Sequence, residues 1–183
     1  KKSVLSHNAT LRCLQLSFAP LLSAALAGLL FLLTDVDTGI RSTDVPSALL
    51  WGIILGAFSY GLIYLFTERV LHGYFADTVE DLKPMFQGLS VWHLVCIACA
   101  AGIGEELLFR GFLQQYLSNF LPIELTVLIL AVLFGLLHYA SLRYFLLSAS
   151  LGLSFSIGYY VTDNLLLVMV WHTIYDIFAL LVL

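Results

Sequence analysis

The sequence predicts an all-α fold, a polytopic transmembrane helical bundle of about six membrane-spanning helices plus one or two short interfacial helices. Apolar residues make up 61% of its 183 residues and charged residues only 11%, where a soluble domain carries about 25% charged. Mean hydropathy is +0.97. The 8 Lys and Arg and the 12 Asp and Glu cannot coat a globule of this size in water, so most of the surface faces lipid. The apolar residues also fall in runs near the roughly 20 that a spanning helix needs. A net charge of −4 without any basic run argues against a nucleic-acid partner.

The first apolar run, Cys13 to Leu33, follows a basic start of Lys1, Lys2 and Arg12. Ala25-Leu26-Ala27 before Gly28 resembles a signal-peptide cleavage site, but the run continues to a spanning length and is read as a retained helix that Pro20 kinks. An acidic loop follows, Thr34 to Pro46, with Asp35, Asp37, Asp44 and Arg41. The second span covers about Ser47 to Thr67. The polar stretch Glu68 to Gln87 spaces Val70, Leu71, Tyr74, Phe75, Val79 and Leu82 at roughly helical intervals and predicts a helix lying at the interface.

The third span begins near Leu89 and runs into Gly102-Ile103-Gly104-Glu105-Glu106-Leu107-Leu108-Phe109-Arg110. Gly111 to Phe120 reads as a short amphipathic segment, and Pro122 suits the first turn of a new helix. The fourth span then covers about Pro122 to Tyr139, the fifth Leu142 to Val161 and the sixth Asn164 to Leu183. With the N-terminus in the cytosol, the cytosolic side holds Lys1, Lys2, Arg12, Arg69, Lys83 and Arg143, against Arg41 and Arg110 opposite. That asymmetry predicts a multi-pass integral membrane protein with both termini cytosolic. There is no repeat or second domain: residues 1–183 form a single membrane domain.

Ionisable residues inside apolar helices carry the chemistry. Each charged side chain near mid-bilayer costs roughly 2.5–3.5 kcal/mol, so Glu105, Glu106, Arg110 and Asp176 in isolation would cost about 10 kcal/mol. Glu106 and Arg110, four apart, share a helix face and can pair, while Glu105 points about 100° away. Structural anchoring and catalysis both account for that pair; the second glutamate favours catalysis. His138 lies on the fourth span, one turn after Phe134, and alone reads as a packing residue. His172 and Asp176, four apart on the sixth span, can form a carboxylate–imidazole pair that fixes the ring's tautomer. Together these side chains can activate water and stabilise an oxyanion without a serine or cysteine nucleophile.

Three stretches carry a resemblance: Glu105-Glu106-Leu107-Leu108-Phe109-Arg110, Phe134-Gly135-Leu136-Leu137-His138 and His172-Thr173-Ile174-Tyr175-Asp176. In order and on successive apolar helices, they resemble the CAAX prenyl protease and bacteriocin-processing (Abi) family of intramembrane proteases, whose signature is E-E-x-x-x-R, F-x-x-x-H and H-x-x-x-N or H-x-x-x-D. The resemblance covers about 89–183; residues 1–88 supply two accessory spans and the interfacial segment. It implies an endopeptidase acting on a peptide or protein substrate at the membrane. Glu105 is then expected to activate the hydrolytic water with help from His138, Glu106 to hold Arg110, and His172 with Asp176 to form the oxyanion pocket. If zinc is used, Glu105, His138 and His172 are the ligands implied, although no H-E-x-x-H occurs. Asp176 departs from the asparagine of the prenyl-protease branch, which also has more spans, so a leader peptide or a membrane-anchored regulator is as open a substrate as a prenylated C-terminus.

Two further classes remain open on sequence: a non-enzymatic immunity or scaffold protein of the same family, and a proton-coupled transporter or haem protein using His138 and His172. Other residues take plainer readings. Cys96 and Cys99, beside Ala98, Ala100 and Ala101, read as small packing residues rather than a metal or redox pair. His93, Trp51 and Trp171 read as interface or packing residues. Ser148, Ser150, Ser154 and Ser156 read as helix contacts, with no acid or histidine in their own helix.

Overall fold

The computed structural model describes residues 2–34, 36, 44–70 and 75–183, with side chains from residue 9 onward. Asp35, Asp37, Arg41, Leu71, His72, Tyr74 and the side chains of Lys1 and Lys2 lie outside the described residues. Seven helices follow one another, and there is no strand among the described residues: α1 (Lys2–Leu33), α2 (Val45–Arg69), α3 (Ala76–Phe86), α4 (Val91–Ser118), α5 (Ile123–Leu137), α6 (Leu142–Thr162) and α7 (Leu165–Val182). Five of them are long and apolar enough to cross a membrane: α1 from Ala9, α2, α4, α6 and α7.

Helix boundaries follow local chemistry. Asp44 accepts from the Ser47 amide at the start of α2, Ser141 from Tyr144 at the start of α6, and Asn164 from Leu167 at the start of α7. The start of α4 is closed by Ser90 and His93: the Ser90 N–H donates to His93 Nδ1 at 3.2 Å, with the Ser90 hydroxyl 2.8 Å from the same nitrogen. His93 is thus a capping residue as well as an interfacial one. α3 is the amphipathic helix expected before the third span, tied down by Thr78 Oγ1 at 3.0 Å from Ser141 Oγ.

Two expectations are revised. Gly111 to Phe120 is not a separate amphipathic helix; α4 runs on to Ser118, with Leu107–Gln114 wound as π-helix. Leu108 to Phe112 are all buried, because α1, α5, α6 and α7 all pack on this stretch. The first residues of the expected segment, Gly111 and Phe112, are thus drawn into the core as a continuation of α4, while Ser118 to Phe120 at its end are exposed. The fourth expected span, α5, is a 15-residue apolar helix, about 22 Å long at 1.5 Å per residue, shorter than the other spans. It starts after Pro122 and stops at His138, where the backbone leaves the helical region (φ −101, ψ 19).

α4 and α7 lie side by side at the centre. α1 packs on α4, α2 on α7, and α5 pairs with α6. Small residues set these approaches. Ala48, Gly52 and Gly56 form the buried stripe of α2, and a Cβ on Gly56 would meet Ile174 Cβ at 2.7 Å and the Trp171 carbonyl at 2.8 Å. Without a hydrophobic driving force in lipid, such close approach supplies the dispersion contact that joins helices. The Trp171 indole N–H also donates to Ser59 Oγ at 2.9 Å, tying α7 to α2. On the other flank a Cβ on Gly104 would collide with the Pro20 carbonyl of α1. Cys13, Cys96 and Cys99 are free thiols.

The Gly56→Leu substitution is expected to destabilise the α2–α7 contact by about 1–3 kcal/mol through overpacking. Gly61→Leu, at a position with nothing within 4 Å, is expected to leave the protein unchanged. Thermal unfolding of the two variants in detergent checks both.

Candidate active site

All six candidate residues come from the inner faces of α4 and α7 and from the end of α5. They form two linked groups rather than one shell. The first is sealed. Glu106 and Arg110 have no exposed side-chain surface, and Arg110 Nη1 donates to Glu106 Oε1 at 2.8 Å. The same carboxylate oxygen lies 2.8 Å from His172 Nδ1 on α7. The second nitrogen of that ring, Nε2, is 3.4 Å from Asp176 Oδ2. An unbroken row Arg110–Glu106–His172–Asp176 therefore crosses from α4 to α7.

Arg110 is fully buried, and each of its nitrogens has an acceptor. Nε donates to Ser156 Oγ at 3.3 Å, and Nη2 to the Gly152 carbonyl, both on α6. The guanidinium also lies 5.1 Å from the Phe134 ring centre, 5.4 Å from Phe155 and 5.6 Å from Phe109, where aromatic faces attract a cation. Gly152 is required here: a Cβ would stand 3.0 Å from Phe134. Ser156 was read from the sequence as a plain helix contact, yet it is an arginine ligand. The signal for it was the stripe Ser148, Gly152, Ser156 at every fourth position, all buried on one face of α6. Gln114, one turn beyond Arg110 on α4, joins the same support by donating Nε2–H to the Ser156 carbonyl at 3.0 Å.

The second group is open. Glu105 Oε2 lies 3.5 Å from His138 Nε2, with the glutamate side chain 13% exposed and the imidazole 30%. His138 Nδ1 is 2.8 Å from the Phe134 carbonyl of its own last helical turn. A carbonyl only accepts, so Nδ1 carries the hydrogen and the neutral ring presents its Nε2 lone pair to Glu105. Glu105 Oε2 is buried without a hydrogen-bond donor. Two acceptor atoms thus face each other at 3.5 Å, a geometry that a water molecule, with two O–H donors, complements.

Phe134 joins the two groups. Its ring stacks on His138 at 4.4 Å between centres and meets His172 edge-on at 5.8 Å, while Phe155 stacks on the other side of His172 at 4.8 Å. The rings hold the imidazoles in fixed orientations.

The structure allows a test of each implied cofactor's fit. Zinc would need Glu105, His138 and His172 as three donors, but His172 Nδ1 is tied to Glu106 at 2.8 Å, and no group of three or more His, Cys, Asp or Glu among the described residues is arranged to hold a metal. Haem would need a gap between His138 and His172 that Phe134 fills. As placed, neither donor set fits, and no step below is routed through either group.

The fold and this site define a polytopic helical membrane protein with an acid–histidine–arginine cluster buried among its spans. Residues 87–178, half of the chain, match the family model described as type II CAAX prenyl endopeptidase Rce1-like, and the chain belongs to that family. The matched segment contains every candidate residue. A curated relative, the uncharacterized protein YpbD of Bacillus subtilis (strain 168), is 27% identical over 161 residues, covering 84% of this chain and 79% of that protein. No solved structure gives a significant match.

Breaking the sealed pair is expected to be severe. Arg110→Met strips the buried Glu106 of its arginine partner, leaving only His172 against it, and should destabilise by about 3–5 kcal/mol. The double variant Glu106→Gln with Arg110→Met removes both charges and should recover part of that loss. Denaturant unfolding of the three proteins measures it.

Proposed function

We propose that the protein is an intramembrane endopeptidase that hydrolyses a peptide bond of a membrane-associated or peptide substrate with water activated by Glu105 and His138. One observation carries this reading: the buried, donorless Glu105 carboxylate facing the Nε2 lone pair of His138 at the partly open end of the cluster. A water bridging the pair from its open side donates one hydrogen to each acceptor and directs an oxygen lone pair outward, at a substrate carbonyl. As that oxygen bonds to the carbonyl carbon, Glu105 takes the water's proton and later delivers it to the leaving amine nitrogen, the general-base then general-acid sequence. The products are a carboxylate and an amine, and no acyl-enzyme forms.

Charge develops on the carbonyl oxygen in that step, and His172 is the group to meet it. The 3.4 Å contact to Asp176 is long for a hydrogen bond, so its Nε2–H can turn to a stronger acceptor such as an oxyanion. Asp176 then orients the ring instead of touching the oxyanion itself, which answers how an aspartate serves where the prenyl-protease branch has asparagine. Glu106, held by Arg110, fixes the other nitrogen. These three are positioning residues.

Lys and Arg placement gives the orientation. Arg12, Arg69, Lys83 and Arg143 lie at the end of the bundle toward which His138 opens, and Arg12 Nη1 donates to the Gln87 carbonyl there at 3.0 Å. That end, with the start of α1 and the close of α7, faces the cytosol in this reading. The amphipathic α3 lies there too, beside the α5–α6 turn.

Cleavage of a farnesylated C-terminal peptide and of a bacterial leader peptide, each offered to the protein in lipid nanodiscs and followed by mass spectrometry, tests the reading. Glu105→Gln and His138→Ala should each lower the rate by about 10²–10⁴ while the unfolding midpoint stays near wild type. Undiminished cleavage by the Glu105→Gln protein overturns the assignment.

A further inference from the structure

α6 and α7 run in opposite directions and meet along one face of each. Tyr159 packs with Leu165 and Val168, Phe155 stacks on His172 at 4.8 Å between ring centres, and Leu151 joins Tyr175 in an apolar cluster that Leu147 also touches. At 100° per residue, position 144 falls within about 20° of both Leu151 and Phe155 around the helix. Tyr144 is therefore turned toward α7, on the same side of His172 as Asp176. The electrostatics agree with that placement: the carboxylates of Asp176 and Glu105 both act on the Tyr144 phenol, and the phenol in turn acts on Tyr175. The half-buried ring thus borders the open end of the acid–histidine cluster.

The backbone at this position is pinned. The Tyr144 N–H donates to the Ser141 hydroxyl at 3.1 Å, and that hydroxyl lies 3.0 Å from Thr78 Oγ1 of α3. The open end of the cluster is also rich in acceptors. Glu105 and the Nε2 lone pair of His138 face each other, and an ionised Asp176 only accepts. A phenol keeps its hydrogen at neutral pH, so Tyr144 brings a neutral O–H donor to groups that otherwise repel negative charge.

We propose that Tyr144 is a catalytic residue of this site, its phenol O–H donating to the carbonyl oxygen of the scissile peptide bond beside the Nε2–H of His172. The inference rests on the peptidase reading. When water adds to the carbonyl carbon, the C=O π electrons move onto the oxygen, and the phenol donates a hydrogen bond to that oxyanion while keeping its proton. On collapse the electrons return to the carbonyl and the bond to the amine nitrogen breaks, so Tyr144 ends as it began. A hydrogen bond to an anion is stronger than one to a neutral carbonyl. The contact therefore favours the transition state over the bound substrate, and its loss falls on kcat.

Turnover of the farnesylated peptide and of the leader peptide in nanodiscs tests this, with wild-type, Glu105→Gln and Tyr144→Phe proteins measured side by side. Tyr144→Phe should lower kcat by about 10²-fold and leave KM within about twofold, as expected for one lost oxyanion donor. Replacement of Tyr144 by 3,5-difluorotyrosine, whose phenol ionises near neutrality, carries the test if Tyr144→Phe does not fold. That protein should match wild type at acidic pH and fall below it at alkaline pH, as the donor is lost. A wild-type kcat in Tyr144→Phe, or a difluorotyrosine profile parallel to wild type, overturns the proposal; with Glu105→Gln inactive, the peptidase reading survives that result. Undiminished turnover by Glu105→Gln overturns both.

Discussion

A guanidinium with no access to water governs this structure. Arg110 cannot shed its charge, so every nitrogen must find an acceptor within the bundle. Glu106 supplies one from the same helix, Ser156 and the Gly152 carbonyl supply two from α6, and three phenyl rings enclose the remainder. These demands fix the separation of α4 and α6, keep position 152 without a side chain and hold Phe134 against the cation. Phe134 in turn aligns both imidazoles. The geometry of the candidate site is thus inherited from the solvation of one cation.

That arrangement divides labour between two adjacent glutamates. Glu106, whose Oε1 is 2.8 Å from both Arg110 Nη1 and His172 Nδ1, is bound to a fixed role. Glu105 turns to the partly open side, facing His138. A 100° difference in direction along one helix separates a sealed, paired carboxylate from one at the partly open end. The low-dielectric surroundings that strengthen the first pair also make the second carboxylate's missing donor consequential.

Much of this was legible in the sequence. Apolar runs placed α2, α6, α7 and the end of α1 to within a few residues, although α1 starts eleven residues before the expected Cys13, and four-residue spacing announced both Glu106–Arg110 and His172–Asp176. The link from Glu106 to His172 was not legible, because it joins helices whose relative rotation no single-helix periodicity encodes. The π-helical winding of Leu107–Gln114 escaped for the same reason: it answers to neighbours on every side. Hydropathy found α5 but not how short it is, since it records how apolar a run is and not where its helix ends. The role of Ser156 was hidden because a serine facing an arginine and a serine facing a methyl group look alike in a sequence. Its period-four companions, Ser148 and Gly152, were the trace that it left.

The shortness of α5 has a consequence for the surrounding lipid. A wall of about 22 Å set in a hydrocarbon layer of about 30 Å creates a mismatch, which bilayers relieve by thinning locally and drawing polar headgroups inward. Thinning beside the α5–α6 turn would bring the aqueous boundary down toward His138. Water would then arrive with the deformed leaflet itself, without a dedicated conduit, and a substrate helix entering the dimple would lose the hydrocarbon that favours its intact backbone hydrogen bonds.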